Sequence, residues 1–518
     1  MPLHLRAIRR KRLKHPPGCA AVGSLVLGRY GGPIRRSLTD KDDMATTIDM
    51  EQDAGRGAQV VARLKAELGA DIIKDAAEAD FARHARDMTN VMPSGIDLPG
   101  IAYPRTTEQV SRIMAICNEA HYPVVPQGGL TSLAAGALAD RPCLLLSMER
   151  MRGIEELDEA GRTMTVLAGT VLETVQIAAD EAGFFFPLDL GGRGSAQVGG
   201  NASTNAGGNR VLRYGMMRDL ILGIEAVLAD GTIVSSLNVM IKNNAGYDLK
   251  HLFIGSEGTL GVITRLVLRM FPKPTSACTA VVAVEDYDAT LKLLKQSNAA
   301  FASTLSAFEV MWPDFYRLGT AAVGRTPPLA HGYNVYVLIE ILGTDPERDA
   351  ARFEEVLGGM IESGLVLDAV IAQSDTQRQE IWAVRDSPGE WHQGEHWPQV
   401  AFDVSLPTRL IGDFIPYVRD LLLAKWPDCV TMFFGHLADS NLHLSARVPR
   451  DPMPEKEMEE IVYAAVGEWG GSITAEHGIG SIKVDFLHHS RTPEELALMR
   501  TLKRAMDPNN ILNPGKVI

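Results

Sequence analysis

The chain has 518 residues, 46% hydrophobic and 22% charged, a globular composition too long for one core, so two or three domains are expected. A net charge of -13 argues against nucleic acid as the main partner, and no run is long and apolar enough to span a membrane. Five scattered cysteines (Cys19, Cys117, Cys143, Cys278, Cys429) exclude a disulfide framework, a CxxC redox pair and a thiolate zinc cage.

Residues 1–44 stand apart. Met1 to Asp43 holds ten Lys/Arg against three acids, a surplus of +7 that leaves -20 for the rest. The stretch is unpatterned and is set outside the fold, as an organellar transit peptide or an over-long start before Met44. The first alternative makes the protein mitochondrial and the second cytoplasmic, with any membrane association peripheral.

From 45 to 274, short apolar strands alternate with helices. GAQVVARLKAELG and TTEQVSRIMAICNEAHY carry apolar residues at helical spacing. PVVPQGG is a strand entering a glycine turn, RTMTVLAGTVLETVQIAADEAG gives strand, turn and helix, and ILGIEAVLADGTIVSS is a hairpin about its ADG turn. A further strand, GVITRLVLRMF, ends at Pro272 and Pro274, which mark a boundary. Beyond it CTAVVAV, NVYVLIEI and VAFDVSLP are each followed by a helix, which predicts an antiparallel sheet with helices on one face, over residues 275–455. Residues 456–518 supply a helix, TPEELALMRTLKRAMDP, and the tail NNILNPGKVI.

Two glycine clusters interrupt the first half. VPQGGLTSLAAGAL follows an apolar strand, so backbone N–H groups can converge on one concavity. VGGNASTNAGGNR adds hydrogen-bonding side chains. Neither is GxGxxG nor GxxxxGK[ST], so a Rossmann site and a P-loop are both unsupported. A flexible turn and a nucleotide cradle remain the two readings of each.

The stretch FFGHLADSNLHLSARV holds His436 and His443, symmetric about a probable hairpin centre, as are Leu437 and Leu442. Symmetric partners share a face, with Cβ atoms about 4.5–5.5 Å apart, so both imidazoles can ligate one ion. In SITAEHGIG, Glu476 and His477 end an apolar strand and point to opposite sides, one toward a metal and one toward a substrate. Two His and a carboxylate with an open position suit zinc or another divalent ion; capped polar residues at strand ends are the plainer alternative.

The segments PSGIDLPGIAYPRTTEQV, PVVPQGGLTSLAAGAL, GGNASTNAGGNRVLRYGMMRDLILGIEAVLADG and NNAGYDLKHLFIGSEGTLGVITRLVLRMFPKP resemble the vanillyl-alcohol oxidase / p-cresol methylhydroxylase flavoproteins. Within them the chain is similar to the FAD-linked D-2-hydroxyacid dehydrogenases (D-lactate dehydrogenase, the glycolate oxidase FAD subunit, D-2-hydroxyglutarate dehydrogenase). The resemblance implies an α+β fold with a two-part FAD-binding domain (45–274), an antiparallel-sheet α+β cap or substrate domain (275–455) and a C-terminal helical segment (456–518) that completes the active and flavin sites.

It also implies FAD, with the pyrophosphate at Pro126, Gly128, Gly129, Leu130 and Thr131. Gly200, Asn201, Ser203, Asn205 and Gly207 would meet pyrophosphate and flavin, Gly258, Gly261 and Ile263 the adenosine half, and Asn513 would close over the flavin. Covalent relatives often place histidine where Leu130 stands, so non-covalent FAD is expected. GHLADSNLH and AEHGIG resemble the family's metal motifs, which makes His436, His443 and Glu476 ligands of Zn²⁺ or a similar ion and His477 the general base. Arg385 takes the place of the family's substrate arginine.

The implied reaction is hydride transfer from C2 of a small D-2-hydroxy acid to flavin N5, metal-assisted, with electrons passed to a quinone, cytochrome or electron-transfer flavoprotein. A homodimer is the assembly considered. Ala401, Gly389 and Ser445 stand where 2-hydroxyglutarate enzymes or many relatives have lysine, threonine and asparagine, which weakens the case for a dicarboxylate. His392, His396 and Arg447 are candidate substitutes. An O2-using oxidase, a flavin-free metal hydrolase or lyase, and a non-catalytic flavoprotein subunit are the alternatives.

Overall fold

A computed structural model describes residues 55–89, 91, 95–324, 326–388 and 399–518. The basic extension and the positions Gly389, His392 and His396 lie outside the described residues. Among them, no helix is long and apolar enough to cross a membrane.

The flavin-side half holds two sheets. Helix α1 (residues 55–68) precedes strands β1 (Ile73–Asp75) and β2 (Gly100–Ala102), helix α2 (Thr107–Glu119), and strands β3 (Val124–Gln127) and β4 (Leu144–Ser147). The order is β1-β2-β4-β3, with β3, β4 and β2 parallel. Helix α2 starts where the sequence says it should: Thr106 accepts from the Gln109 N–H, Glu108 sits in the first turn, and Val110, Ile113, Met114 and Cys117 turn inward.

The second sheet is antiparallel, ordered β5-β6-β10-β8-β9 from β5 (Ile154–Asp158), β6 (Thr163–Leu167), β8 (Ile221–Val227), β9 (Ile233–Ser236) and β10 (Val262–Arg269). Helix α3 (Leu172–Glu181) and the short α4 (Val198–Ser203) follow β6, and β7 (Phe184–Phe185) pairs with β11 (Phe271–Pro272). One apolar cluster spans both sheets, from Val124 and Leu144 to Met164, Ile224 and Leu266.

The cap sheet is antiparallel, in the order β15-β12-β14-β13-β17-β18-β16. Its strands are β12 (Ser276–Val284), β13 (Leu305–Met311), β14 (Val335–Gly343), β15 (Asp368–Ile371), β16 (Val400–Ser405), β17 (Val430–His436) and β18 (Asn441–Arg447). The expectation of helices on one face is corrected here. Helices α5 (Tyr287–Phe301), α7 (Pro346–Glu362), α9 (Ile411–Lys425) and α10 (Glu455–Glu468) cover one face through Leu293, Phe353, Phe414 and Val462. Helices α6 (Pro313–Val323) and α8 (Asp375–Arg385) cover the other through Phe315, Tyr316, Ile381 and Trp382. A sheet covered on both faces favours apolar residues on both sides of each strand, which is why β12, β13 and β14 are near-continuous apolar runs rather than alternating ones.

After helix α11 (Pro493–Met506) the tail returns to the flavin half. The Val124 N–H donates to Ile511 O at 2.8 Å, and the Asn513 N–H to Val124 O at 2.9 Å, so the chain's end flanks β3.

Candidate active site

A cavity of about 730 Å³ runs between the glycine clusters. Pro126, Gly128, Gly129, Leu130, Thr131, Gly200, Asn201, Ser203, Gly207, Gly258, Gly261 and Ile263 line it, and Glu476 and His477 join the lining. Two predicted flavin contacts lie outside that lining. Asn205 accepts from the Arg218 N–H at 2.9 Å, and the Asn513 amide donates to the carbonyls of Gly136 (2.9 Å) and Glu257 (2.8 Å).

The first glycine loop is held open by Gln127, whose amide nitrogen donates to Ala137 O at 2.8 Å while its oxygen meets the buried His84 ring at 2.7 Å. Gly129 has no room for a side chain: a Cβ there would be driven into the Ser195 carbonyl. The residues fit FAD. Besides the glycines, the lining carries two buried acceptors, Gln197 Oε1 and Asn201 Oδ1, that have no hydrogen-bond partner of their own. Ring N–H and ribityl hydroxyl groups are the donors such acceptors need.

Beside Glu476 and His477, strands β17 and β18 bring His436 and His443 together, though not as the symmetric pair. Phe434 is opposite His443 and Phe433 opposite Leu444, so the register is displaced by two residues from a centre between Asp439 and Ser440. The cause is the turn. Leu437–Asp439 forms a 3-10 segment closed by Ser440 at φ 74°, and β18 begins only at Asn441. A displacement of two preserves the face, so the rings still meet, T-shaped, with centroids 5.5 Å apart. His436, His443 and Glu476 each offer a ligand atom, all within 4.8 Å of one another, and His436 Nε2 lies 3.7 Å from Glu476 Oε1.

Glu476 and His477 do not sit on a strand. The N–H groups of Ala475 (3.1 Å), Glu476 (2.9 Å) and His477 (3.0 Å) all donate to Asp403 Oδ2. Successive N–H groups of a strand point in opposite directions, so this convergence requires the loop that is observed. Asp403, Glu476 and His477 also form a possible ligand group. Oδ2 of Asp403 is saturated, however, and Oδ1 accepts from Asn441 Nδ2 at 3.2 Å. The His436–His443–Glu476 set is the less occupied one, with Arg385 Nη2 lying 2.9 Å from His436 Nε2, and its two His and one carboxylate fit a divalent ion.

Arg385 is buried at the same place. Its Nε donates to Glu309 Oε2 at 2.7 Å, and Nη2 lies 2.9 Å from His436 Nε2. Glu309, opposite His436 in the β13–β17 pairing, accepts from His436 Nδ1 at 2.8 Å with its other oxygen. That bond fixes the tautomer: Nδ1 carries the proton and Nε2 the lone pair.

The electrostatics follow from these contacts. Burial opposes a charge on His436, but the Glu309 carboxylate outweighs it and makes the ring a stronger base. Burial raises the Glu309 carboxyl, yet His436 and Arg385 outweigh it and hold Glu309 low. Asp403 is likewise held far below the usual carboxylate range: His477, His443, Lys483 and the loop N–H groups overcome the burial penalty. Burial pushes Glu476 up to about 7 against the pull of His436, and lowers His477 against the pull of Asp403.

Glu309 and Asp403 carried no role in the sequence reading. The signal available for both was an acid inside an apolar strand. Ala401 and Ser445 are directly paired across β16 and β18, two residues along from the Asp403–His443 pair and on the same face. They form a small, uncharged patch beside His443.

Glycine cradle, cap sheet bearing His436 and His443, and returning tail together define a two-domain flavoprotein oxidoreductase. The comparisons agree. Residues 99–236 match the FAD binding domain model and residues 273–517 the C-terminal domain of FAD linked oxidases. The Arabidopsis thaliana mitochondrial D-2-hydroxyglutarate dehydrogenase is 39% identical over 80% of this chain and 74% of its own. The Xanthomonas citri D-2-hydroxyglutarate dehydrogenase is 36% identical over 85% and 93%. A mitochondrial Schizosaccharomyces pombe protein with a provisional D-lactate dehydrogenase name is 38% identical over 80% and 81%. Among solved structures, p-cresol methylhydroxylase shares the fold at a TM-score of 0.70 and 18% identity, covering 89% of this chain and 96% of its own. The chain belongs to the FAD-linked D-2-hydroxyacid dehydrogenase family.

Proposed function

We propose that the protein oxidises a D-2-hydroxy acid to the 2-oxo acid and passes the electrons to an external acceptor. The observation carrying this reading is that three metal-type ligands and a separate histidine converge beside a glycine-lined cavity. When bound, FAD at the glycine cradle supplies the hydride acceptor, N5, and a divalent ion at His436, His443 and Glu476 supplies a Lewis acid for the hydroxyl oxygen. Arg385 binds the substrate carboxylate through Nη1 and through Nη2, which now rests 2.9 Å from His436 Nε2 and would be released once an ion took that lone pair, while Glu309 holds Nε. His477 takes the hydroxyl proton; its Nδ1 side faces Asp403 at 3.7 Å, which supports a cavity-facing Nε2 as the base. The rest of the substrate lies toward Ala401 and Ser445, which offer no cation to a second carboxylate.

The test is anaerobic bleaching of the flavin by D- and L-lactate, a bulkier 2-hydroxy monocarboxylate and D- and L-2-hydroxyglutarate, before and after chelation. The expected result is bleaching by D forms only, abolished by chelation with the flavin retained. A bleaching rate indifferent to chelation removes the metal from the reading, and a bound flavin that no member bleaches removes the substrate class. An oxidase is separated by stoichiometric hydrogen peroxide in air.

A further inference from the structure

A second cavity, of about 600 Å³, lies against the flavin cradle and shares Gly128, Gly129, Leu130, Ser195 and Gln197 with it. Neither Glu476 nor His477 lines this cavity, so it reaches the glycine loop without crossing the hydroxy-acid pocket. Four arginines, Arg83, Arg86, Arg150 and Arg152, line the rest of its wall beside His84, Gly169 and Val171, with Glu149 as the one lining carboxylate. Arg83 pairs with Glu149 at 2.7 Å, and Arg150 reaches Asp71 at 3.5 Å. Arg86 and Arg152 are exposed and have no ion-pair partner among the described residues. A surplus of positive charge thus marks one mouth of the flavin site in a chain whose net charge is -13.

A flavin reduced from one pocket can be reoxidised through a second pocket that the substrate does not occupy. We propose that this arginine-lined cavity is the docking mouth for the electron acceptor, a one-electron redox protein that presents a carboxylate-rich face. The inference rests on the flavin dehydrogenase reading above. Two acceptor molecules each take one electron from the reduced flavin, which returns to FAD, and the proton of the reduced ring passes to water. Carboxylates of the acceptor pair with Arg86 and Arg152, and the local field steers their approach at low salt.

The test uses the full-length holoenzyme with its flavin photoreduced anaerobically, so that no hydroxy acid is needed. It is mixed with native cytochrome c, which is basic, or with succinylated cytochrome c, the same haem protein with its lysines converted to carboxylates. In the Arg86→Glu/Arg152→Glu variant, reduction of the succinylated form should slow at least about tenfold at low ionic strength. Reduction of the native form should be no slower, and the contrast should fade at high salt. A readout that involves no turnover is the binding of succinylated ferrocytochrome c, already reduced, to the oxidised holoenzyme, which should weaken by a similar factor. An unchanged rate with the succinylated form, or an equal loss with both forms, overturns the proposal. A colourless protein, or a flavin that no hydroxy acid bleaches, instead overturns the reading on which it rests.

Discussion

Replacing Glu309 by Gln isolates what one buried carboxylate does for the proposed metal-binding cluster. Its two oxygens accept from His436 Nδ1 at 2.8 Å and Arg385 Nε at 2.7 Å. Glutamine offers one acceptor end and one donor end, and arginine is always a donor. The amide oxygen must therefore stay on Arg385, and the NH2 turns to His436. Nδ1 then has to accept, which moves the ring proton to Nε2, so Arg385 Nη2, a donor 2.9 Å away, must turn aside and Glu476 Oε1 at 3.7 Å becomes the acceptor. That tautomer has no lone pair to give an ion. Loss of an orienting partner of this kind costs about 10–100-fold in metal affinity, or roughly 1.4–2.7 kcal/mol.

A second cost falls on Arg385, whose side chain is only 7% exposed and loses its charged partner. Stripping one member from a buried pair costs about 3–5 kcal/mol, and the retained amide oxygen keeps the Gln variant below that range. Competition for the ion against a chromophoric chelator measures the first effect, and thermal unfolding of the metal-free protein the second. A folded Glu309→Gln variant that binds the divalent ion as tightly as the wild type refutes the tautomer argument.

Gly129→Ala drives a methyl into the Ser195 carbonyl, across the cradle, so the purified variant should be folded by circular dichroism yet lack visible flavin absorbance; a wild-type flavin-to-protein ratio would contradict it. Glu459, on α10, has a carboxyl pushed up to about 7 by burial and by Glu455. Because the unfolded group titrates near about 4.3, the folded chain loses stability as pH rises between those values and carries the full penalty above them. Glu459→Gln should therefore raise the melting temperature near about pH 8 and leave it unchanged near about pH 4. Equal shifts at both would refute an ionic origin.

The glycine clusters and the paired histidines were legible because local pattern specifies them: small residues after an apolar strand, and two rings flanking a turn. The hairpin register was not, since it depends on whether the turn spends two residues or four, and Ser440 in the left-handed region decides that. Asp403 gathers N–H groups from 72 to 74 residues away, a closure that no window of sequence contains.

A rule nonetheless follows from where these acids stand. Glu225 in GIEAV, Glu309 in AFEV, Glu340 in LIEI and Asp403 in AFDV each interrupt an apolar strand, and each is buried. A buried acid is tolerable only with partners. Glu225 finds Thr107, Thr264 and Arg265; Glu340 finds Arg210 and the Trp382 indole at 2.7 Å. Glu309 finds His436 and Arg385, and Asp403 the loop that carries Glu476 and His477. All three cap acids thus anchor either the site itself or α8, the helix bearing Arg385. An acid inside an apolar strand therefore points to whatever the surrounding structure must hold still, and here that is the His436–His443–Glu476 cluster and His477 beside it.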